Sequence, residues 1–439
     1  MAPRSAERDP LWSAAIAVLH DNDLGEWTKP APRLYPHQWS WDSAIVAIGL
    51  AHLDPDRALR ELESLFAAQW SDGRVPHIVF NPAAYDYFPG PDRWATAELA
   101  VAAPKAPATS GLVQPPVHAL ALERIQQTRR DSRVEQLYVR MLAWHRYLAS
   151  ARDPTGSGLL TIYHPWESGT DNSPRWDAPL ARVDVGVVLP YVRHDLKHVA
   201  DASQRPTQAE YDRYLWLVET LKRVGYDDAA AHREHPFLIK DVLMTAIFAL
   251  ANITLAELGQ QLRRPEAERR ELLDLAERAS KAVQAAWDPA EKLALDWDVR
   301  AGEPVRVRTC AGLAPLILPD CPPDLLEACL DRLRSDWFVG VPGLAFRVVP
   351  STAPGSPGFR ARAYWRGPTW PIINWLIWLG LRRTSHAPVA ASLREEYLAL
   401  LRRPEARFAE YFEPFTAEPL GSLDQSWTAA VALDWLSEE

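Results

Sequence analysis

Cysteine is scarce in this chain. Three occur in 439 residues, Cys310, Cys321 and Cys329, with no C-x-x-C pair and an odd count. That argues against a disulfide framework and fits a reducing compartment. Runs of Lys and Arg are missing and the net charge is −9, which speaks against nucleic acid, since phosphate neutralisation needs a basic face. No apolar run reaches the roughly 18 residues of a membrane span. The longest, Val242–Leu258, is broken by Thr245, Asn252 and Thr254. The first residues lack a basic stretch followed by an apolar one and a small-residue cleavage site, so the expectation is a soluble cytoplasmic protein with no membrane partner. Phosphate-loop, dinucleotide, H-E-x-x-H and G-x-S-x-G signatures are all absent. The HREH at His232–His235 lies in a polar loop and reads as surface, so no metal and no cofactor is expected. No D-D-x-x-D stretch exists to hold the magnesium of a terpenoid cyclase; Tyr226-Asp227-Asp228 runs into alanines.

What is present is a large apolar fraction, 47%, beside 24% charged residues and 19 Trp. A sizeable core is therefore available. Trp either fills gaps between helices or builds surfaces that are apolar and also donate a hydrogen bond. Apolar residues recur at helical spacing over Pro10–His20, Trp41–Leu53, Asp56–Trp70, Pro115–Gln127, Val134–Ala151, Ala209–Val224, Lys240–Gln261, Pro265–Trp287, Asp324–Ser335, Thr369–Leu381, Pro388–Leu401 and Ser426–Leu436. Strand-like alternation is confined to Arg74–Phe80, Leu159–Tyr163 and Gly343–Val349. Helices apolar on nearly every face alternate with helices carrying a charged stripe, as buried and outer helices do. The economical arrangement is an all-α (α/α)6 barrel, a toroid of inner helices wrapped by outer ones. An open solenoid shares the alternation, but its repeat motifs are missing. Pro and Gly gather in loops and form no linker, so residues 1–439 read as one domain. The longest loops, near 80–94 and 348–365, carry aromatics and are expected to act as lids.

Two acidic segments sit among aromatic residues: WESGTDNSPRWD at Trp166–Asp177 and FAEYFEPFTAEPLG at Phe408–Gly421. Ring faces stack on sugar C–H surfaces, and desolvation pushes a carboxyl group toward its protonated form, the pairing a glycosidase needs. Asp171 is the candidate acid, against an alternative role in an Asx-turn or helix cap; Glu167 and Asp177 compete with it. Glu410 is the candidate base, with Glu413, Glu418 and Asp424 unresolved by spacing alone. Asp42, flanked by Trp39 and Trp41, could bind sugar hydroxyls or cap its helix. Dense aromatic and polar segments precede several all-apolar helices: YPHQWSWD, YWRGPTWP and the stretch Glu410–Trp427. Inner helices of a toroid run parallel, so these segments should converge on one rim.

The segments YPHQWSWD, GLVQPPVHA, WESGTDNSPRWD, EYDRYLWLVE, AYWRGPTWP and FAEYFEPFTAEPLGSLDQSWTAA resemble, in order and spacing, glycoside hydrolase family 63, and within it the bacterial mannosylglycerate and glucosylglycerate hydrolases. The likeness runs from about Asn22 to Leu436, and the E-S-G-x-D and E-Y elements also look like those of trehalases. The resemblance implies an inverting α-glycosidase acting on 2-O-α-mannosyl- or 2-O-α-glucosyl-D-glycerate. Asp171 would protonate the leaving oxygen. Glu410, now preferred over Glu413, would activate water, the carboxyl groups lying roughly 6.5–9.5 Å apart. Asp42 would bind the sugar, with Tyr35, Trp39, Trp41, Tyr364, Trp365 and Trp370 shaping its pocket. Arg213 would clamp the glycerate carboxylate, joined by Tyr87 and Gln114, because an Arg–carboxylate pair can be bidentate. Without the resemblance, Arg213 reads as a surface ion pair. Ala417 stands where relatives usually carry Gly, so a slightly altered loop is expected there. The alternatives are a hydrolase of another small α-glucoside, such as trehalose or a glucobiose, and a non-catalytic sugar-binding barrel. Homo-oligomerisation is left open.

Overall fold

A computed structural model describes residues 9–197 and 201–438. All twelve helices expected from periodicity form, with ends displaced by at most three residues. They are α1 (Pro10–Asn22), α2 (Ser40–Ala51), α3 (Pro55–Ala67), α4 (His118–Thr128), α5 (Arg133–Ala151), α6 (Gln208–Arg223), α7 (Val242–Gln261), α8 (Glu266–Ala285), α9 (Pro323–Arg334), α10 (Pro371–Leu381), α11 (Ala387–Leu401) and α12 (Ser426–Leu436). Outer helices begin at strong stop-and-start chemistry. Asp9 and Asp54 accept from Leu11 N and Asp56 N, and Pro10 and Pro55 occupy the first turn.

The inner ring runs α2, α4, α7, a 3₁₀ segment at Cys310–Ile317, α10 and α12, each packing on the next, and α12 returns to α2. Outer helices α3, α5, α8, α9 and α11 back the first five, and α1 from the start of the chain backs α12. This is an (α/α)6 toroid. Every residue of α2, α10 and α12 is buried, whereas α8 buries one stripe. The sixth inner element escaped the periodicity because it is short and Pro315 inside it removes a backbone donor. One apolar cluster extends from Leu11 to Leu436.

The expected strands shrink to Ile78–Val79 and Thr161–Ile162, and Gly343–Val349 forms none. Helix α7 is long and apolar enough to cross a membrane, yet 89% of that stretch is buried inside the protein. Two of its polar side chains are partnered within the helix: Thr245 Oγ1 donates to Asp241 O, and Asn252 Nδ2 to Phe248 O. The three cysteines are free thiols.

The ring closes where α2 meets α12, and the two pack closely there. A Cβ placed on Gly49 would lie 2.6 Å from Ala430 Cα and 2.7 Å from its Cβ. Backbone cannot yield there as a side-chain tip can, so Gly49→Ala is expected to cost about 1–3 kcal/mol. A chemical denaturation midpoint unchanged from wild type would contradict that contact.

Candidate active site

The N-terminal ends of the inner helices converge. Tyr35, Trp39, Trp41, Asp42, Gln114, Gly169, Asp171, Tyr364, Trp365, Glu410, Gln425 and Trp427 line one small cavity, with His77 at its edge. A second, larger cavity adjoins it and shares Tyr35, Trp39, His77, Asp171 and Tyr364; its further walls come from Asp86–Pro89, Trp166, His194–Asp195, Arg205–Pro206, Tyr211 and Tyr214. The shared residues mark a seam between an inner and an outer compartment.

Local structure explains each placement. The strand pair Gln38–Trp39 and Ile78–Val79 sets His77 beside Trp39, and Ser40 N donates to His77 O. At the start of α2 the free N–H of Trp41 is capped by Gln114 Oε1 at 3.2 Å, which leaves the Gln114 amino group for the cavity. Asp171 sits in a turn braced by Trp176 Nε1 donating to Thr170 O and by Tyr214 Oη donating to Asp171 O. Gly169 is needed there: its φ is 72°, and a Cβ would strike the Trp41 ring at 2.7 Å. Glu410 begins a hairpin (Tyr411–Phe412 with Pro419–Leu420) in which Glu410 N donates to Ser422 O. Gly421, φ 71°, lets that strand pass Glu410 Oε2, which a Cβ would meet at 2.5 Å.

The two acids differ in their surroundings. Glu410 is 1% exposed and its oxygens are fixed: Tyr35 Oη donates to Oε1 at 2.7 Å, Tyr364 Oη at 3.3 Å, and Ser422 N to Oε2 at 3.0 Å. Such donors favour a carboxylate held as an acceptor. Asp171 has no side-chain partner among the described residues. Burial, opposed by Arg205 and reinforced by Glu410, pushes its carboxyl up to about 7. Asp42 is likewise raised well above the carboxylate range, by burial and then by Glu410 and Asp171. His77 is pushed down to about 3 by burial and stays neutral. Trp365 adopts a left-handed φ of 59° and stacks on Trp370 at 3.7 Å. Backbone held in that region costs energy and clusters at functional sites.

The competing acids are bound elsewhere. Glu167 forms a two-pronged pair with Arg152 at 2.8 Å and accepts from Val113 N and Tyr163 N. Asp177 pairs with Arg366, Glu418 with Arg362 and Asp424 with Arg407, and Glu413 caps the turn at Phe415–Thr416. Ala417 takes a φ of 55°, a conformation glycine adopts at less cost.

Three expectations need correction. Arg213 does not line either cavity; its guanidinium donates back to Ala209 O, one turn earlier on α6. Tyr211 and Tyr214 take the cavity face of that helix, and about 100° per residue turns position 213 away from both. The arginine at the cavity is Arg205, in the loop before α6. Its side chain is 7% exposed, its carbon lies 4.5 Å above the Tyr364 ring, and its Nε is 3.6 Å from Asp195. No acceptor among the described residues hydrogen-bonds to it. Trp370 is fully buried behind Trp365 and does not touch the cavity. Of residues 348–365 only Tyr364 and Trp365 reach the cavity, since Pro350 pairs with Thr369 and Thr352 with Thr309 in the interior. The outer compartment is instead walled by Asp86–Pro89 of the 80–94 loop and by His194, Asp195, Arg205 and Pro206, tied together where Asp86 meets His194 at 2.8 Å and Lys197 at 3.0 Å.

Sequence reasoning missed Arg205, His77, Tyr211, Tyr214, Ser422, Gln425 and Trp427. A histidine within an otherwise apolar alternating stretch was a usable signal for His77. Arg205 had none, being a lone Arg before Pro in an aperiodic loop. A larger groove between α1 and the end of α11 carries no comparable chemistry, because Asp9 and Asp424 there are paired with Arg402 and Arg407.

A helical toroid whose inner rim gathers two differently held carboxyl groups and a wall of indoles defines a class, the glycoside hydrolases. Comparison with known proteins agrees. The profile of the mannosylglycerate hydrolase MGH1-like glycoside hydrolase domain matches residues 35–428. A glucosylglycerate hydrolase of Mycolicibacterium hassiacum is 46% identical over 97% of both chains. A mannosylglycerate hydrolase of Thermus thermophilus is 41% identical over 96% of this chain and 99% of its own. The crystal structure of a family 63 mannosylglycerate hydrolase from Thermus thermophilus, in complex with Tris and D-glycerate, superposes with a TM-score of 0.89 over 97% of this chain and all of that one, at 40% identity. The chain belongs to the MGH1-like glycoside hydrolases of family 63, and it is an enzyme.

Folding raises the Asp171 carboxyl from 3.8 to about 7. Its ionised form is therefore the one folding disfavours: that cost is absent below about pH 4 and complete above about pH 7. Asp171→Asn removes it. The variant is expected to melt at a higher temperature than wild type at pH 8, with the gap closing by pH 4. Equal midpoints at pH 8 would mean that the carboxyl is not desolvated.

Proposed function

We propose that this enzyme hydrolyses 2-O-α-mannosyl- or 2-O-α-glucosyl-D-glycerate to the hexose and D-glycerate, with inversion at the anomeric carbon. The observation that carries the reading is Arg205: a cation 7% exposed, without a hydrogen-bonding acceptor, facing a cavity that opens onto two acids. The carboxylate nearest to Arg205, Asp195 at 3.6 Å, already accepts from Arg193, so the guanidinium keeps donors to spare and a ligand carboxylate fits its planar fork. Relatives at 46% and 41% identity bear the names of glycosylglycerate hydrolases, which supports the same aglycone here.

In this reading the sugar fills the inner compartment against Trp41 and Trp365, with Asp42 and the Gln114 amino group on its hydroxyls. Glycerate occupies the outer one, its carboxylate on Arg205 beside Tyr87. Asp171, at the seam, donates a proton to the glycosidic oxygen as the C1–O bond breaks. Glu410 takes a proton from the water that attacks the opposite face, its lone pairs aimed by Tyr35, Tyr364 and Ser422. The 80–94 loop serves as a lid, with His194, Asp195, Arg205 and Pro206 closing the other side.

The test is release of sugar and D-glycerate from mannosylglycerate, glucosylglycerate and trehalose offered in parallel, with the anomer formed first read by NMR. Turnover of a glycerate compound with trehalose untouched is expected. Asp171→Asn and Glu410→Gln should each lose about 10³-fold or more in kcat; full activity in either would sink the assignment. Arg205→Ala should lower kcat/KM on glycerate substrates about 100-fold, while Arg213→Ala should stay within about twofold of wild type. The reverse order would restore Arg213 as the clamp. Because the acid must carry its proton, kcat/KM should fall as pH rises through about 7, the value burial gives Asp171.

A further inference from the structure

Arg205 and Asp171 face the same cavity, and that juxtaposition has an electrostatic consequence for catalysis. In the empty site Arg205 is the cation acting on Asp171, and a nearby cation favours the ionised carboxyl. A general acid needs the opposite. Among the other groups facing Asp171, Glu410 is an acid that raises it. Asp42, raised well above the carboxylate range by burial and by its acidic neighbours, is the other carboxyl that competes for a proton here, and the Asp171→Asn variant separates the two. Tyr87, Tyr214 and Tyr364 are phenols raised by burial, and His77 is held neutral. At the outer wall stand Asp195, 3.6 Å from Arg205, and the Asp86–His194 pair.

We infer that the carboxylate of the substrate, by pairing with Arg205, switches off the cation that opposes protonation of Asp171, so that the anionic aglycone completes the acid that will cleave its own glycosidic bond. The inference rests on the glycerate reading given above. The sequence balances. The glycerate arrives ionised and stays so. Asp171 takes one proton from solvent on binding and gives that proton to the glycosidic oxygen, which keeps the bonding pair, while Glu410 collects the proton of the attacking water. A neutral aglycone of the same shape leaves Arg205 balanced only by Asp195 at 3.6 Å, and Asp171 more often ionised. Selection for an anion then appears in the chemical step as well as in binding, because the interaction changes the protonated fraction of the bound enzyme. Arg205 is in this sense a specificity-determining residue that acts partly through the acid.

The decisive experiment is calorimetric titration of the wild-type enzyme with D-glycerate at pH 7.5, in two buffers of different ionisation enthalpy, with glycerol as the neutral control. Binding of D-glycerate with fractional proton uptake is expected. The uptake should vanish in Asp171→Asn and persist in His194→Gln, which removes the other group at the outer wall that could take up a proton. Turnover provides a second readout: on a glycosylglycerate the alkaline limb of kcat should lie about one pH unit above that of kcat/KM, and on the corresponding glycosylglycerol the two limbs should coincide. D-glycerate binding without proton uptake, or uptake that survives in Asp171→Asn, overturns the inference while leaving the glycerate pocket intact. No binding of D-glycerate at all overturns the pocket assignment and the inference with it.

Discussion

Closure of the inner helix ring is the constraint on which everything else rests. The last inner helix, from the final residues of the chain, must pack on the first, and the close approach of Gly49 to Ala430 records how tightly it does. Glu410 is delivered by the segment just before that last helix, and one of the tyrosines bonded to it comes from the segment just before the first. Tyr35 and Glu410 are 375 positions apart yet bonded at 2.7 Å. That contact requires the ring to be closed.

The charge distribution follows from the same geometry. Buried carboxylates elsewhere in the toroid are matched: Glu167 by Arg152, Asp296 by Arg175, Asp434 by Arg124 and His52. At the rim the rule is broken. Among the described residues no cation is bonded to Asp42, Asp171 or Glu410, which crowd one small cavity, and Arg205 stands in the adjoining compartment with Asp195 at 3.6 Å as its nearest carboxylate. Unbalanced buried charge is destabilising, and its confinement to one place marks where a ligand completes the electrostatics. The left-handed Trp365 adds backbone strain to the same wall, tolerated because Trp370 is stacked against it.

Much of this was written in local pattern. Helix positions follow from apolar spacing, and the inner or outer rank of α2, α7, α8, α10 and α12 from whether a polar stripe is present, because a helix apolar all round has no stable place except between others. Asp171 and Glu410 stood out because carboxylates rarely sit among indoles and phenols without cause. The acids that spacing could not separate were sorted only by contact: Glu167 and Asp177 meet arginines distant in sequence, and Glu413 folds back on its own turn. Those partners are a property of the assembled chain.

What the sequence determined by itself was the toroid, the gathering of aromatic segments at one rim and the two acidic segments that supply its carboxyl groups, since all three depend on periodicity and neighbouring residue types. What only the tertiary structure decided was which arginine faces the ligand, which aromatic residues touch the cavity and which merely back it, and which loops wall the outer compartment. The choice of Arg205 over Arg213 turns on the rotation of one helix and the path of one aperiodic loop. The sixth inner element was hidden by a proline in a short apolar run. Such features are set by how packed elements rotate and where loops come to rest, quantities that long-range packing fixes and no local pattern encodes.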